Sequence, residues 1–130
     1  MLYIYSLFHR KSRDVDEVDR WAAALRWRGV QPGDRVACLM PMVAQVSMAM
    51  LATMKVGAVF IPIFSGYAAP SGRERLEDSG ACCLFTADLG YRRGQSFDLK
   101  SHADEAVEGL ESLKTVFVLQ RGDGSSAMQE

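Results

Sequence analysis

Cysteine is scarce in this chain and unpatterned. Cys38, Cys82 and Cys83 make an odd set, two of them adjacent in an apolar run with no histidine at ligand spacing, which argues against a disulfide framework and a zinc site and predicts buried thiols. An excess of one charge is also missing. Fifteen basic against sixteen acidic residues leave a formal charge of −1, so no long-range field draws the chain to nucleic acid or to an anionic membrane, and any anion site must be local. Histidine is limited to His9 and His102, far apart in polar surroundings, and both are expected at the surface. There is no Gly-x-x-x-x-Gly-Lys-Ser/Thr loop, no Gly-x-Gly-x-x-Gly and no Gly-x-Ser-x-Gly. The Gly122-Asp123-Gly124-Ser125-Ser126 cluster lacks a following helix and a lysine, and is expected to be tail. These absences leave no catalytic residue to assign.

Targeting signals are equally thin. The apolar start, Met1 to Phe8, has no basic residue before it and no small-residue cleavage site after it, which predicts no secretion signal and a reducing, cytoplasmic setting. From Val36 to Met54 runs a stretch of nineteen residues without charge, long enough to span a bilayer. Pro41 breaks it, and it divides better into a strand, Val36 to Met40, and a helix, Met42 to Val56. No membrane span is expected.

What is present is the composition of a folded domain, 48% apolar and 24% charged. Val15, Val18, Trp21, Ala22 and Leu25 recur at helical spacing and predict a helix from Asp14 to Arg28, acidic at its start, basic at its end and stopped by Gly29. The acidic residues Asp14, Asp16, Glu17 and Asp19 are scattered around its first turns; a solvated helix start explains them without a metal. Gln31-Pro32-Gly33-Asp34 predicts a tight turn. Arg35 to Met40 shows no clean alternation, as expected for a strand buried on both faces. The helix Met42 to Val56 is apolar almost all round and needs cover on more than one side; its methionines are core filler rather than a soft-metal cluster. Further strands are expected at Val59 to Ile63, Cys82 to Thr86 and Thr115 to Leu119, with helices at Ser71 to Ser79 and Lys100 to Leu110. The polar segment from Ala87 to Asp98 is expected to be a loop. This alternation predicts a three-layer α/β domain with a mainly parallel sheet.

Within that segment Tyr91-Arg92-Arg93-Gly94-Gln95 places two guanidinium groups after a parallel strand, where open α/β sheets bind ligands. On the residues alone, two solvated arginines are the favoured reading, with an anion site as the alternative.

The stretch Gly57-Ala58-Val59-Phe60-Ile61-Pro62-Ile63-Phe64-Ser65-Gly66-Tyr67, followed by Glu74-Arg75-Leu76-Glu77-Asp78-Ser79-Gly80-Ala81 and Leu84-Phe85-Thr86-Ala87-Asp88, resembles the N-terminal part of AMP-forming acyl-CoA synthetases, especially the acetyl-CoA synthetase (acetate–CoA ligase) branch of the adenylate-forming superfamily. Asp19 to Leu25, Gly33 to Ala37 and Ala49 to Ala58 extend the likeness, which reaches about Val118 and covers roughly a hundred residues in family order. Residues 1–13 depart from the pattern, which has a Thr-Tyr-x-Glu-Leu type segment there. The organisation expected from this is an atypical segment over 1–13, a partial synthetase N-terminal domain over 14–120 and a flexible tail over 121–130.

The resemblance implies an enzyme that joins a carboxylic acid to coenzyme A. ATP, with Mg, and the acid give an acyl-adenylate and pyrophosphate, and the thiol then displaces AMP. It also implies a coenzyme A contact at Arg92, Arg93, Gly94 and Gln95, where the family has an Arg-x-Gly-Arg or Arg-Arg-Gly-Lys type loop. Gln95 stands in place of the second basic residue and removes a charge from the contact. The Ser/Thr/Gly-rich phosphate loop, the ribose-orienting acidic residue and the catalytic lysine that the family uses have no counterpart in residues 1–130. The expectation is therefore an N-terminal fragment, inactive alone and prone to self-association through its apolar helix. The alternative is a non-catalytic α/β module that binds a nucleotide or a partner.

Overall fold

The computed structural model describes residues 1–6, 14–66 and 68–122. The elements run β1 (Leu2–Ser6), α1 (Asp14–Trp27), β2 (Arg35–Met40), α2 (Ala44–Lys55), β3 (Val59–Phe64), α3 (Ala69–Ser79), β4 (Cys83–Ala87), β5 (Leu89–Arg92), β6 (Gln95–Asp98), α4 (Leu99–Val107) and β7 (Thr115–Leu119). Five strands form a parallel sheet in the order β1-β7-β4-β2-β3. Helix α1 packs on α2, and α3 packs on α4. The crossovers β1-α1-β2 and β2-α2-β3 advance across the sheet in one direction, while β3-α3-β4 and β4-α4-β7 return in the other. Right-handed connections then put the two helix pairs on opposite faces. The expected three-layer α/β architecture with a mainly parallel sheet is present.

Strands β4 and β7 are buried at every position, and β2 at all but Arg35, as continuous apolar runs in a covered parallel sheet should be. The core passes from helix to sheet through an aromatic column. Trp21 of α1 stacks on Phe85 at 5.1 Å between ring centroids, and Phe85 stacks on its register partner Phe117 at 4.9 Å; such pairs add about 0.5–1.5 kcal/mol each to the area they bury. On the other side, Ala103, Ala106 and Val107 of α4 are buried and Leu110 half-buried, the face read from their spacing.

Punctuation works as the residues dictate. Gly29, Gly57 and Gly80 all have positive φ at the ends of α1, α2 and α3. The Gln31–Asp34 turn closes with Asp34 N–H donating to the Gln31 carbonyl at 3.1 Å. Pro70 sits in the first turn of α3, where its missing N–H costs nothing. Pro62 lies on β3, an edge strand.

The structure differs from the sequence-based expectation in several places: Glu17, expected on a solvated helix start, is buried, Cys82 is only half-buried, and the last helix ends at Val107. The N-terminal residues Leu2–Ser6 form an edge strand parallel to β7. Helix α2 starts at Ala44 rather than Met42, because Val43 is extended and offers no side-chain cap; Met42 is left 93% exposed. Only one side of α2 is covered: Met48, Ala49, Ala52 and Thr53 are buried, while Met50, Leu51 and Met54 face out. The segment from Ala87 to Asp98 is not a loop, because β5 and β6 pair as an antiparallel hairpin.

Candidate anion-binding cleft

The hairpin stands where β4 leaves the sheet. Its loop has two residues, Arg93 and Gly94, both at positive φ, 52° and 78°, the sign pattern of a type I′ turn that matches strand twist. Glycine takes that conformation freely, whereas Arg93 does so at a cost of about 1–2 kcal/mol. Arg92 pairs with Gln95 across the turn, and Gly90 pairs with Phe97 below it. The Phe97 ring lies over the Gly90 backbone, and a Cβ at that position would run into the ring edge. A glycine is required there.

Asp88 fixes the hairpin root. Its side chain is buried, 1% exposed, and accepts N–H bonds from Leu89 at 2.7 Å, Arg121 at 2.8 Å and Gly122 at 3.0 Å. Its carbonyl takes the amides of Leu99 and Lys100, both at 3.1 Å. One residue thereby joins β4, β5, the first turn of α4 and the chain beyond β7. Asp98 caps α4, accepting from Ser101 N–H at 2.9 Å and from the Ser101 hydroxyl. Burial pushes the Asp98 carboxyl up, but those bonds and the nearby charges of His102 and Lys100 together outweigh it and hold the group below its ordinary range.

Beyond the carboxyl ends of β2 and β3 the hairpin closes off a cleft of about 920 Å³. Connections from neighbouring strands β4, β2 and β3 depart to opposite faces there, which is where open α/β sheets bind ligands. Its floor includes Pro41, Phe64, Ser65 and Gly66, and its wall includes Tyr91, Arg92, Arg93 and Gln95. Gly94, also expected in the site, is at the exposed turn and does not line the cleft. His102, exposed as anticipated, lies on the rim with Arg121. His9 lies outside the described residues.

Arg121 is the residue that sequence reasoning missed. It begins a stretch with linker composition, and its backbone bond to Asp88 holds it at the cleft. Its Nη1 donates to the Leu89 carbonyl at 3.0 Å and its guanidinium stands 5.0 Å from the Tyr91 ring centre. Among the described residues the cleft wall thus carries Arg92, Arg93, Arg121 and His102 and no aspartate or glutamate. Among the described residues none of these arginines is paired with a carboxylate. No group of three or more metal-ligating side chains is found among the described residues, and no described helix is long and apolar enough to cross a membrane.

An α/β domain with a cation-lined cleft at its strand ends fits a nucleotide-using enzyme, and comparison with known proteins gives the family. The family model for AMP-binding enzyme matches residues 15–130: the chain belongs to that family. It is similar to acetyl-coenzyme A synthetase of Halorhodospira halophila, 42% identical over 123 residues, which are 94% of this chain and 19% of that protein. It is also similar to acetyl-coenzyme A synthetase of Parvibaculum lavamentivorans, 40% identical over 115 residues, 88% of this chain and 18% of that protein. The solved acetoacetyl-CoA synthetase from Streptomyces lividans superposes with a TM-score of 0.73 at 27% identity, covering 98% of this chain and 23% of that one. The chain spans about a fifth of the length of these relatives. The resemblance to AMP-forming acyl-CoA synthetases is borne out.

Proposed function

We propose that this chain is the N-terminal part of an AMP-forming acid–CoA ligase and that its cleft receives the phosphate-bearing end of coenzyme A. The observation that carries the reading is the cleft wall itself, where guanidinium groups gather with no carboxylate among the described residues, in a protein of net charge −1. Such a wall costs repulsion unless an anion fills it. Arg92 and Arg93 make charge-assisted bonds to phosphate, Gln95 donates a neutral one, and Gly94 lets the turn present them. Tyr91 offers a flat face at the same place.

In the complete enzyme a carboxylate and MgATP give an acyl-adenylate and pyrophosphate, and coenzyme A displaces AMP. The loop that grips ATP and the lysine that promotes adenylation are not among these residues, so the chain alone does not perform the first step. Its part is to hold and orient coenzyme A.

Calorimetric titration of the 130-residue chain with coenzyme A and with dephospho-coenzyme A tests this. Coenzyme A is expected to bind about tenfold or more tightly, because one charged bond is worth about 1.5–3 kcal/mol. Equal affinities, or no binding of either, would remove the coenzyme A reading and leave a non-catalytic partner-binding module. Pyrophosphate release from ATP and acetate should not exceed a heat-killed control.

A further inference from the structure

Arg121 is anchored along one edge and open along the rest. An arginine carries five N–H donors, of which the bond from Nη1 to the Leu89 carbonyl uses one; the others have no protein partner among the described residues. The anchor is built into the fold. Asp88 grips the Arg121 and Gly122 amides, and Gly122 packs so tightly that a Cβ there would meet Leu89 Cδ1 at 2.8 Å. Arg121 therefore stands at the hairpin root while Arg92 and Arg93 stand at its tip. With about 3.3 Å per strand residue, root and tip are about 10 Å apart. The Arg121 guanidinium itself reaches the Tyr91 ring, 5.0 Å from its centre, so it shares the cleft wall with Arg92 and Arg93 while entering it from the opposite end of the hairpin.

We propose that Arg121 is a third anion-binding residue of the cleft, and that the anion carries more than one phosphoryl group, Arg121 serving one and Arg92 and Arg93 another. The proposal rests on the reading of the cleft as an anion site. A ligand with one phosphate engages one end of the hairpin. A ligand with two engages both, and its affinity depends on Arg121.

The test is calorimetry of the 130-residue chain with orthophosphate and with adenosine 3′,5′-bisphosphate. In the wild type the bisphosphate is expected to bind at least about tenfold more tightly than orthophosphate. Arg121→Gln keeps a donor for the Leu89 carbonyl and loses the charge, so circular dichroism and melting should match the wild type while the bisphosphate weakens about ten- to a hundredfold. Arg121→Lys should lose less than Arg121→Gln, and Arg20→Ala, an exposed cation of α1 away from the cleft, should bind as the wild type does. Bisphosphate affinity unchanged in a folded Arg121→Gln overturns the role of Arg121 and leaves the anion site standing. A wild type that binds neither probe overturns the anion site and this inference together.

Discussion

The carboxylate of Asp88 accepts the backbone amide of Arg121 at 2.8 Å, joining the end of the central strand β4 to the chain just past β7. The same carboxylate holds Leu89 and Gly122. A buried acceptor with three N–H donors cannot be removed without stranding them, and each stranded donor costs about 1–3 kcal/mol before water relaxes it. Asp88→Ala is expected to lose about 3 kcal/mol and Asp88→Asn, which keeps one oxygen, about half of that. Urea denaturation measures both. A midpoint for Asp88→Ala within error of the wild type would show that the hairpin root is not held this way.

On the proposed reading of the cleft, Arg93 sets stability against binding. Its positive φ favours asparagine, the preferred residue before glycine in this turn. Arg93→Asn should therefore stabilise the chain by about 0.5–1 kcal/mol while weakening phosphate ligands about tenfold. Thermal melting and titration must move in opposite senses. A variant that loses stability would mean that the Arg93 side chain supports the turn.

The thiols predict behaviour in alkali. Burial pushes Cys38 up from 9.0 to about 12. Cys83 is also raised, chiefly by its bond to Cys82 and then by burial, and that same bond lowers Cys82. Above pH 9 the unfolded chain gives up the Cys38 proton and the folded chain keeps it, so the unfolded state binds fewer protons and stability falls as pH rises. From Cys38 the loss runs between about pH 9 and 12, with a limiting slope of about 1.4 kcal/mol per pH unit. Cys38→Ala should flatten it. Iodoacetamide at pH 8 should label Cys82 first, with Cys38 and Cys83 following only on unfolding; early labelling of Cys38 would contradict its burial.

Helix α2 predicts association. Ser47, Met50, Leu51 and Met54 share one exposed stripe, with Leu51 at 49% and Met54 at 62% exposure. Sedimentation velocity should show self-association that Leu51→Lys with Met54→Glu abolishes, since contiguous apolar patches seek cover. A concentration-independent monomer in the parent chain would remove the expectation.

Periodicity and punctuation made most of the fold legible. The helices with their glycine stops, and the fully buried strands β2, β4 and β7, follow from local residue patterns that tertiary contacts reinforce. The hairpin was hidden because Gly90 and Arg93-Gly94 carry loop composition. Their strand pairing depends on Phe97 covering the glycine and on the Asp88 anchor, both long-range facts. Leu2–Ser6 needed β7 as a partner before its apolar run meant a strand. Of the residues that line the cleft, Arg92, Arg93 and Gln95 were singled out from composition and family likeness, whereas Arg121 reaches it through a bond spanning 33 positions that no local signal encodes.

Strand β1 has its place in the sheet only beside β7, pairing Leu2 with Thr115 and Ser6 with Leu119. Leu2–Ser6 must therefore wait for a partner more than a hundred positions further along the sequence before it can be stitched in. During that interval Tyr3 lacks the Asp104 carboxylate that accepts its hydroxyl at 3.1 Å and the Lys100 ammonium 4.4 Å from its ring. Pairing at such sequence separation is slow and leaves an apolar strand uncovered until its partner is in place. Removing residues 1–6 should therefore uncover the β7 edge and Lys100 in the finished domain.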